Sequence, residues 1–286
     1  MSSPEELENT IEKVLSQVKE INPNFAVLSR ITNSLNNTDA DMEDIAKLIK
    51  SEASLTTDII HISNSSYYGA NVECSDIESA LTRIGFNDVL KVVSLIMSKA
   101  ICSKRLEYYD LSPHQMWAQG VTVSYFMEGF SKLAGLNTSK AATAGVLHNI
   151  GRILTDSILT MFGHQTEWDG SQPIAEWEQE QIGIHYGEAG ARFLKDMKFP
   201  EEIQDIIRHQ VYPGAASRAN PLCQLLRYSV LLLEKVGLGF SNPEYEIPDP
   251  THLFPQINLT KEDIGAVIEE TRTRYKEINM KVLTGA

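Results

Sequence analysis

The sequence predicts an all-α protein, a multi-helix bundle with no significant β-sheet. Three observations predict it. Apolar residues recur at the three- and four-residue spacing of one helix face along nearly the whole chain. Segment starts carry capping residues, and segment ends carry glycine. No convincing run of strict apolar–polar alternation occurs, and no hairpin turn of the Asn-Gly kind separates two apolar runs.

The elements follow in order. Ser3-Pro4-Glu5-Glu6 reads as a capping box with proline at the first helical position, and Ile11, Val14, Leu15 and Val18 then share a face. Asn22-Pro23-Asn24 interrupts. Phe25, Leu28, Ile31 and Leu35 suggest a second helix, and Asp41 to Lys50 a third, with Ile45, Leu48 and Ile49 inward. Leu55, Ile59, Ile60 and Ile62 continue the pattern. Ser75-Asp76-Ile77-Glu78 reads as a second capping box, and Gly85 can close that short helix. Asn87 can cap an apolar helix through Val89, Leu90, Val93 and Ile96. Ser112-Pro113-His114-Gln115 starts a long helix that Gly135 ends, and a single helix is expected from about Ser139 to Phe162. Further helices are expected around Glu176, from His185 to Asp196, and after Pro200-Glu201-Glu202, where the acidic pair suits the helix dipole. Asn220-Pro221 opens another that Gly237 closes, and Thr260 to Val282 is the last. Residues 241–258 hold Pro243, Pro248, Pro250 and Pro255 and read as an irregular connection. The expected organisation is an N-terminal helix (1–21), a main domain (22–240, with halves 22–110 and 111–240), and a proline-rich connection with a C-terminal helix (241–286).

Composition narrows the function. The chain has 286 residues, 42% hydrophobic and 22% charged, enough to build a sizeable core. Its net charge is −13, so phosphate backbones and anionic membrane surfaces are repelled, and neither nucleic acid nor membrane is expected as a partner. No apolar run approaches the ~18 residues of a membrane span. The acidic start, Met-Ser-Ser-Pro-Glu-Glu, is unlike a signal peptide, so a cytoplasmic protein is expected. Cys74, Cys102 and Cys223 are widely separated and odd in number, which suits free thiols rather than disulfides or a zinc pair.

Two regions stand out. The first runs from Ser51 to Gly69 and ends in Asn64-Ser65-Ser66-Tyr67-Tyr68-Gly69. Its amide and hydroxyls can bond local backbone, and Gly69 can take a positive φ. Ala80-Leu81-Thr82-Arg83-Ile84-Gly85 follows with a small residue and a helix-ending glycine. The second is Ala144-Gly145-Val146-Leu147-His148-Asn149-Ile150-Gly151-Arg152. A histidine and an amide in an otherwise apolar stretch need hydrogen-bond partners, and the flanking Gly145 and Gly151 allow another backbone to come close.

Together these regions resemble the HDOD domain, the HD-related output domain of bacterial signalling proteins. The resemblance spans roughly Asn24 to Gly239. It is carried by Leu55, Asn64-Ser65, Tyr68-Gly69, Ala80 and Ile84-Gly85, then by Ala144 to Gly151. Gly183-Ile184-His185, Gly187 to Ala191, Leu194, Phe199-Pro200 and Ile206 to His209 complete it in order. One departure is Glu52-Ala53, where the family usually has Asp-Pro, which implies a looser helix start.

The wider HD superfamily that this domain resembles hydrolyses phosphate esters with one or two divalent metals. Its ligands are a first histidine, an adjacent His-Asp pair and a late aspartate, and two metals stand about 3.5–4 Å apart. Carried onto this chain, the His-Asp pair is His148-Asn149, the first histidine falls at Gln119 or a neighbour, and the helix from Leu222 to Val236 has no aspartate. His209-Gln210 stands where the phosphodiesterase branch has two histidines. Asparagine keeps the shape of aspartate but offsets no cation charge. His148, His185 and His209 remain. They can serve as structural donors in a polar seam, hold a residual Zn²⁺ or Ni²⁺, or line a metal-free ligand pocket.

The expectation is a non-catalytic HDOD signal-transduction module with no cofactor. It would bind a signalling partner in trans or a regulatory ligand through a residual pocket of Gln119, His148, Asn149, His185 and His209. A metal-dependent phosphohydrolase acting on nucleotides or cyclic dinucleotides is the first alternative. A nucleotide sensor that binds without hydrolysis is the second. Neither partner identity nor oligomeric state follows from the sequence.

Overall fold

The computed structural model describes residues 4–21, 24–35, 41–65, 68–69, 72–213, 221–238 and 259–284. Among these residues the only extended pairing is one antiparallel bridge, Leu106 with Leu111. The helices are α1 (Pro4–Ile21), α2 (Asn24–Leu35), α3 (Met42–Lys50), α4 (Ala53–Ser63), α5 (Ile77–Ile84) and α6 (Phe86–Ile101). They continue as α7 (Pro113–Leu133), α8 (Thr138–Leu147), α9 (Gly151–Met161) and α10 (Ile174–Ile182). The rest are α11 (Tyr186–Asp196), α12 (Glu201–His209), α13 (Pro221–Leu231) and α14 (Lys261–Thr284), with 3₁₀ turns at Glu107–Tyr109 and Leu232–Val236.

Local chemistry explains the starts. Ser112 and Gln115 form the expected reciprocal capping box on α7, with Pro113 behind it. Asp41 Oδ1 accepts from Glu43 N at 2.7 Å. Glu52, as the departure from Asp-Pro implied, begins α4 with no side-chain cap. Thr260 and Asp263 cap α14 reciprocally.

Several boundaries differ from the sequence reading. Asp76, not Ser75, caps α5, because its carboxylate reaches Ser79 N at 2.8 Å. Asn87 lies inside α6, and Gly85 is the junction instead. Its φ of +81° turns the chain from α5 directly into α6, a conformation costly for any residue with a Cβ. The helix expected from Ser139 to Phe162 is two helices, capped by Asn137 and broken at 148–150. There the hydrogen bonds tighten to a three-residue spacing, Ile150 N to Leu147 O and Arg152 N to Asn149 O. The helix after Pro221 becomes a 3₁₀ turn at Leu232, ahead of Gly237 at φ +73°. Ser3, Asn22, Pro23, Ser66, Tyr67, Asn220 and the connection at 241–258 lie outside the described residues, as do the side chains of Phe25 and Leu28.

The axis of the bundle is α7, buried on nearly every side from Met116 to Phe130. Its main partner is α8, and α6, α13 and α14 also pack on this pair. The second layer joins α9 and α12 to α11. Two glycines let backbones nearly touch. A Cβ on Gly145 would stand 2.6 Å from Ser124 Cα in α7. One on Gly151 would collide with Tyr186 O and stand 2.6 Å from Gly190 N in α11. These contacts hold the break at 148–150 against α7 on one side and α11 on the other, so His148 and Asn149 are fully enclosed.

Candidate functional site

The α8–α9 break sets the site. His148 has no solvent exposure. Its Nδ1 lies 2.8 Å from Gly145 O, so that nitrogen carries the proton and Nε2 carries the lone pair. Nε2 is buried and has no hydrogen-bond partner among the described residues. Burial, then the nearby Arg152 charge, push the imidazole down to about 3, so it is neutral.

The neighbours of His148 are neutral amides. Asn149 Nδ2 donates to Met116 O at 2.8 Å. Gln210 Nε2 donates to His148 O at 2.8 Å. Gln119 Nε2 donates to Leu238 O at 2.9 Å, tying α7 to the turn after α13.

The charge here comes from a residue that the sequence reading left out. Arg152, 2% exposed, donates from Nη1 to Gln119 Oε1 at 3.2 Å and lies with Cζ 4.7 Å from the centre of the Tyr186 ring. Beyond it stands a second missed group, Glu178 of α10, with no exposure. It accepts from Tyr109 Oη at 2.7 Å, Thr155 Oγ1 at 3.1 Å and Tyr186 N at 2.6 Å. Burial raises its carboxyl to about 7, although these donors and Arg152 pull it down. A signal for Glu178 existed. It falls between Ile174 and Ile182 at four-residue steps, on the apolar stripe of its helix.

His185 and His209 do other work. His185 caps α11, its Nδ1 accepting from Gly187 N at 3.2 Å and Glu188 N at 3.3 Å, and burial lowers its pKa. His209 Nδ1 faces Asp205 O at 3.0 Å at the end of α12. Among the described residues no group of three or more His, Cys, Asp or Glu side chains is arranged to hold a metal ion.

The metals of the wider HD superfamily do not fit this chemistry. Gln119, which the resemblance would set at the first ligand, has both ends engaged, and the amide of Asn149, which it would set in the His-Asp pair, donates to backbone. The buried acceptors left without a partner there are His148 Nε2 and Gln210 Oε1, both neutral, and the buried guanidinium of Arg152 repels any added cation nearby.

The first motif region builds a separate bracket. Asn64 Nδ2 donates to Cys74 O at 2.8 Å and Asn64 Oδ1 accepts from Cys74 N at 2.8 Å. Arg83 Nη1 adds a bond to Asn64 Oδ1 at 3.0 Å. Gly69 takes the expected positive φ, +65°. Ser65 and Tyr68 face a small cavity beside Lys91.

The HDOD domain family model matches residues 23–213, about two thirds of the chain. The chain belongs to the HDOD family. The HDOD assignment accounts for the order of both motif regions on one helical frame. An uncharacterised protein of Treponema pallidum (strain Nichols) is 27% identical over 227 residues, covering 77% of this chain and 43% of that protein. This chain thus matches less than half the length of that relative. An HDOD domain protein of unknown function from Geobacter sulfurreducens shares the fold with a TM-score of 0.61, 19% identity and coverage of 96% of both chains. A protein from Marinobacter aquaeolei VT8, whose name assigns it provisionally to signal transduction, superposes with a TM-score of 0.65 at 19% identity. That match covers 96% of this chain and 64% of the other. Among the described residues no helix is long and apolar enough to cross a membrane.

Proposed function

We propose that this protein is a non-catalytic regulatory HDOD module, whose HD-derived pocket maintains the architecture instead of cleaving phosphate esters. One observation carries the reading: Arg152 is buried against Gln119, at the position matched to the first metal ligand. A fixed guanidinium beside neutral amides places positive charge where hydrolysis in the wider superfamily needs carboxylates and imidazoles around divalent ions. His148 alone keeps the form of a ligand, neutral and with its Nδ1 proton on Gly145 O, so the reading rests on the missing carboxylates and on Arg152.

The test is direct. Purified protein is assayed for bound transition metals and for hydrolysis of bis-p-nitrophenyl phosphate with added Mn²⁺ or Mg²⁺. The expected result is substoichiometric metal and no turnover. Asn149→Asp alone is expected to change neither, because Gln119 and the missing late aspartate are untouched. Turnover that His148→Ala abolishes would overturn the proposal in favour of a phosphohydrolase.

A further inference from the structure

The C-terminal helix α14 lies beyond the 23–213 span of the family match, yet it is docked on the axis of the HDOD bundle. Its inward residues form one face along the helix. Ile264, Val267 and Thr271 are buried, and Arg274 follows at the same spacing, with its side chain 16% exposed. Ile268 and Tyr275 flank the stripe and pack partly against the core, whereas Glu262, Glu269, Glu270 and Arg272 face solvent.

The receiving face on α7 is matched to this stripe. Gly129 admits Val267 so closely that a Cβ there would stand 2.8 Å from Val267 Cγ1. Glu128 takes both terminal nitrogens of Arg274, at 3.3 and 3.4 Å, and the guanidinium carbon lies 3.9 Å from the centre of the Tyr125 ring. Glu128 also stands 3.6 Å from Lys91 Nζ of α6, so one carboxylate ties three helices together. Beneath Arg274 a cavity of about 50 Å³ reaches Ile62 and the motif residues Ser65 and Tyr68. The seat therefore lies where both halves of the domain meet.

We propose that this α6–α7 face is the module's partner-docking groove and that α14 is its resident, displaceable occupant. The fitting partner is an amphipathic helix with the apolar–apolar–small–arginine stripe of α14. A carboxylate paired with an aromatic ring selects a guanidinium, and the chain's net charge of −13 favours a basic partner. A ligand that binds only the open state shifts the population of the released helix, which turns docking into a signal at the C-terminus. The inference extends the regulatory reading but stands on residues apart from Arg152 and His148. A metal or turnover result for the HD-derived pocket leaves it untouched.

The experiment uses the full chain and a fluorescent synthetic peptide of residues 259–284. The wild-type chain, with its own α14 in place, is expected to bind the peptide weakly. Arg274→Gln, which loosens the resident helix, is expected to bind it at least tenfold more tightly. Adding Gly129→Val or Glu128→Gln to that variant should remove the gain. Hydrogen exchange should show faster exchange in 261–276 of Arg274→Gln, with α8 and α11 unchanged. Unaltered protection of α14 together with no peptide binding by Arg274→Gln would overturn the proposal and make α14 a fixed part of the core. Concentration-dependent dimerisation by exchange of α14 would also overturn it, naming a second copy as the occupant.

Discussion

Arg152 Nη1 donates to Gln119 Oε1 across 3.2 Å, joining the start of α9 to the first half of α7. The two residues lie far apart in sequence. Their contact brings a buried positive charge into the candidate pocket.

Removing that charge should be costly. Arg152→Met keeps the stem but leaves Gln119 Oε1 and the neighbouring Glu178 without the guanidinium. A loss of about 1.5–3 kcal/mol is expected, the range for buried hydrogen bonds to charged groups. Urea unfolding at pH 7 measures it. A loss under about 0.5 kcal/mol, typical of surface changes, would show that the guanidinium does not organise the pocket.

Stability should carry the signature of Glu178. Its carboxyl is raised from 4.5 to about 7, so the folded state holds the proton more tightly than the unfolded state. Its contribution is full below about pH 4.5, falls as pH rises, and is lost above about 7. Asp156, raised from 3.8 to about 6, acts in the same direction. His148, lowered from 6.5 to about 3, acts in the opposite one, so its contribution is full above about 6.5 and lost towards 3. The difference between wild type and Glu178→Gln isolates one group. Wild type should lose ground to this variant between pH 5 and pH 8 in paired unfolding curves. A pH-independent difference would place the titration elsewhere.

The backbone contact at the α8–α9 break predicts a contrast between two glycines. Gly151→Ala puts a Cβ onto Tyr186 O and 2.6 Å from Gly190 N, backbone atoms that cannot swing away. It should destabilise by about 3 kcal/mol or more, at the upper end of overpacking. Gly265→Ala, at an exposed position of α14 with no atom within 4 Å of the new Cβ, should stabilise by about 0.5–1 kcal/mol. Thermal melts of the two variants decide the matter, and similar midpoints would contradict the packing described.

Asn64 is the test of the first motif. Its two 2.8 Å bonds to the Cys74 backbone close the loop between α4 and α5. Asn64→Ala leaves the backbone donor and acceptor of Cys74 unmet and should cost about 1–3 kcal/mol. Faster amide exchange at Cys74 should accompany the loss. Unchanged protection at Cys74 would mean that other groups hold the loop.

Much of the fold was legible in local sequence. Ser112, Gln115 and Asp41 act within a few residues of themselves, so cap chemistry and helical spacing place α3 and α7 without tertiary information. The ordered set of motifs from Leu55 to His209 carried the family resemblance. Tertiary structure decided what short-range chemistry cannot express. Gly145 and Gly151 announced close backbone approach, but only packing against Ser124 and Tyr186 broke the expected long helix and enclosed His148. Arg152 and Glu178 read locally as ordinary charges on helices. Their side-chain partners Gln119, Thr155 and Tyr109 lie more than twenty residues away in sequence, and burial makes each hydrogen bond matter. The same holds for Arg274, whose seat on Glu128 and Tyr125 exists only once α14 crosses α7.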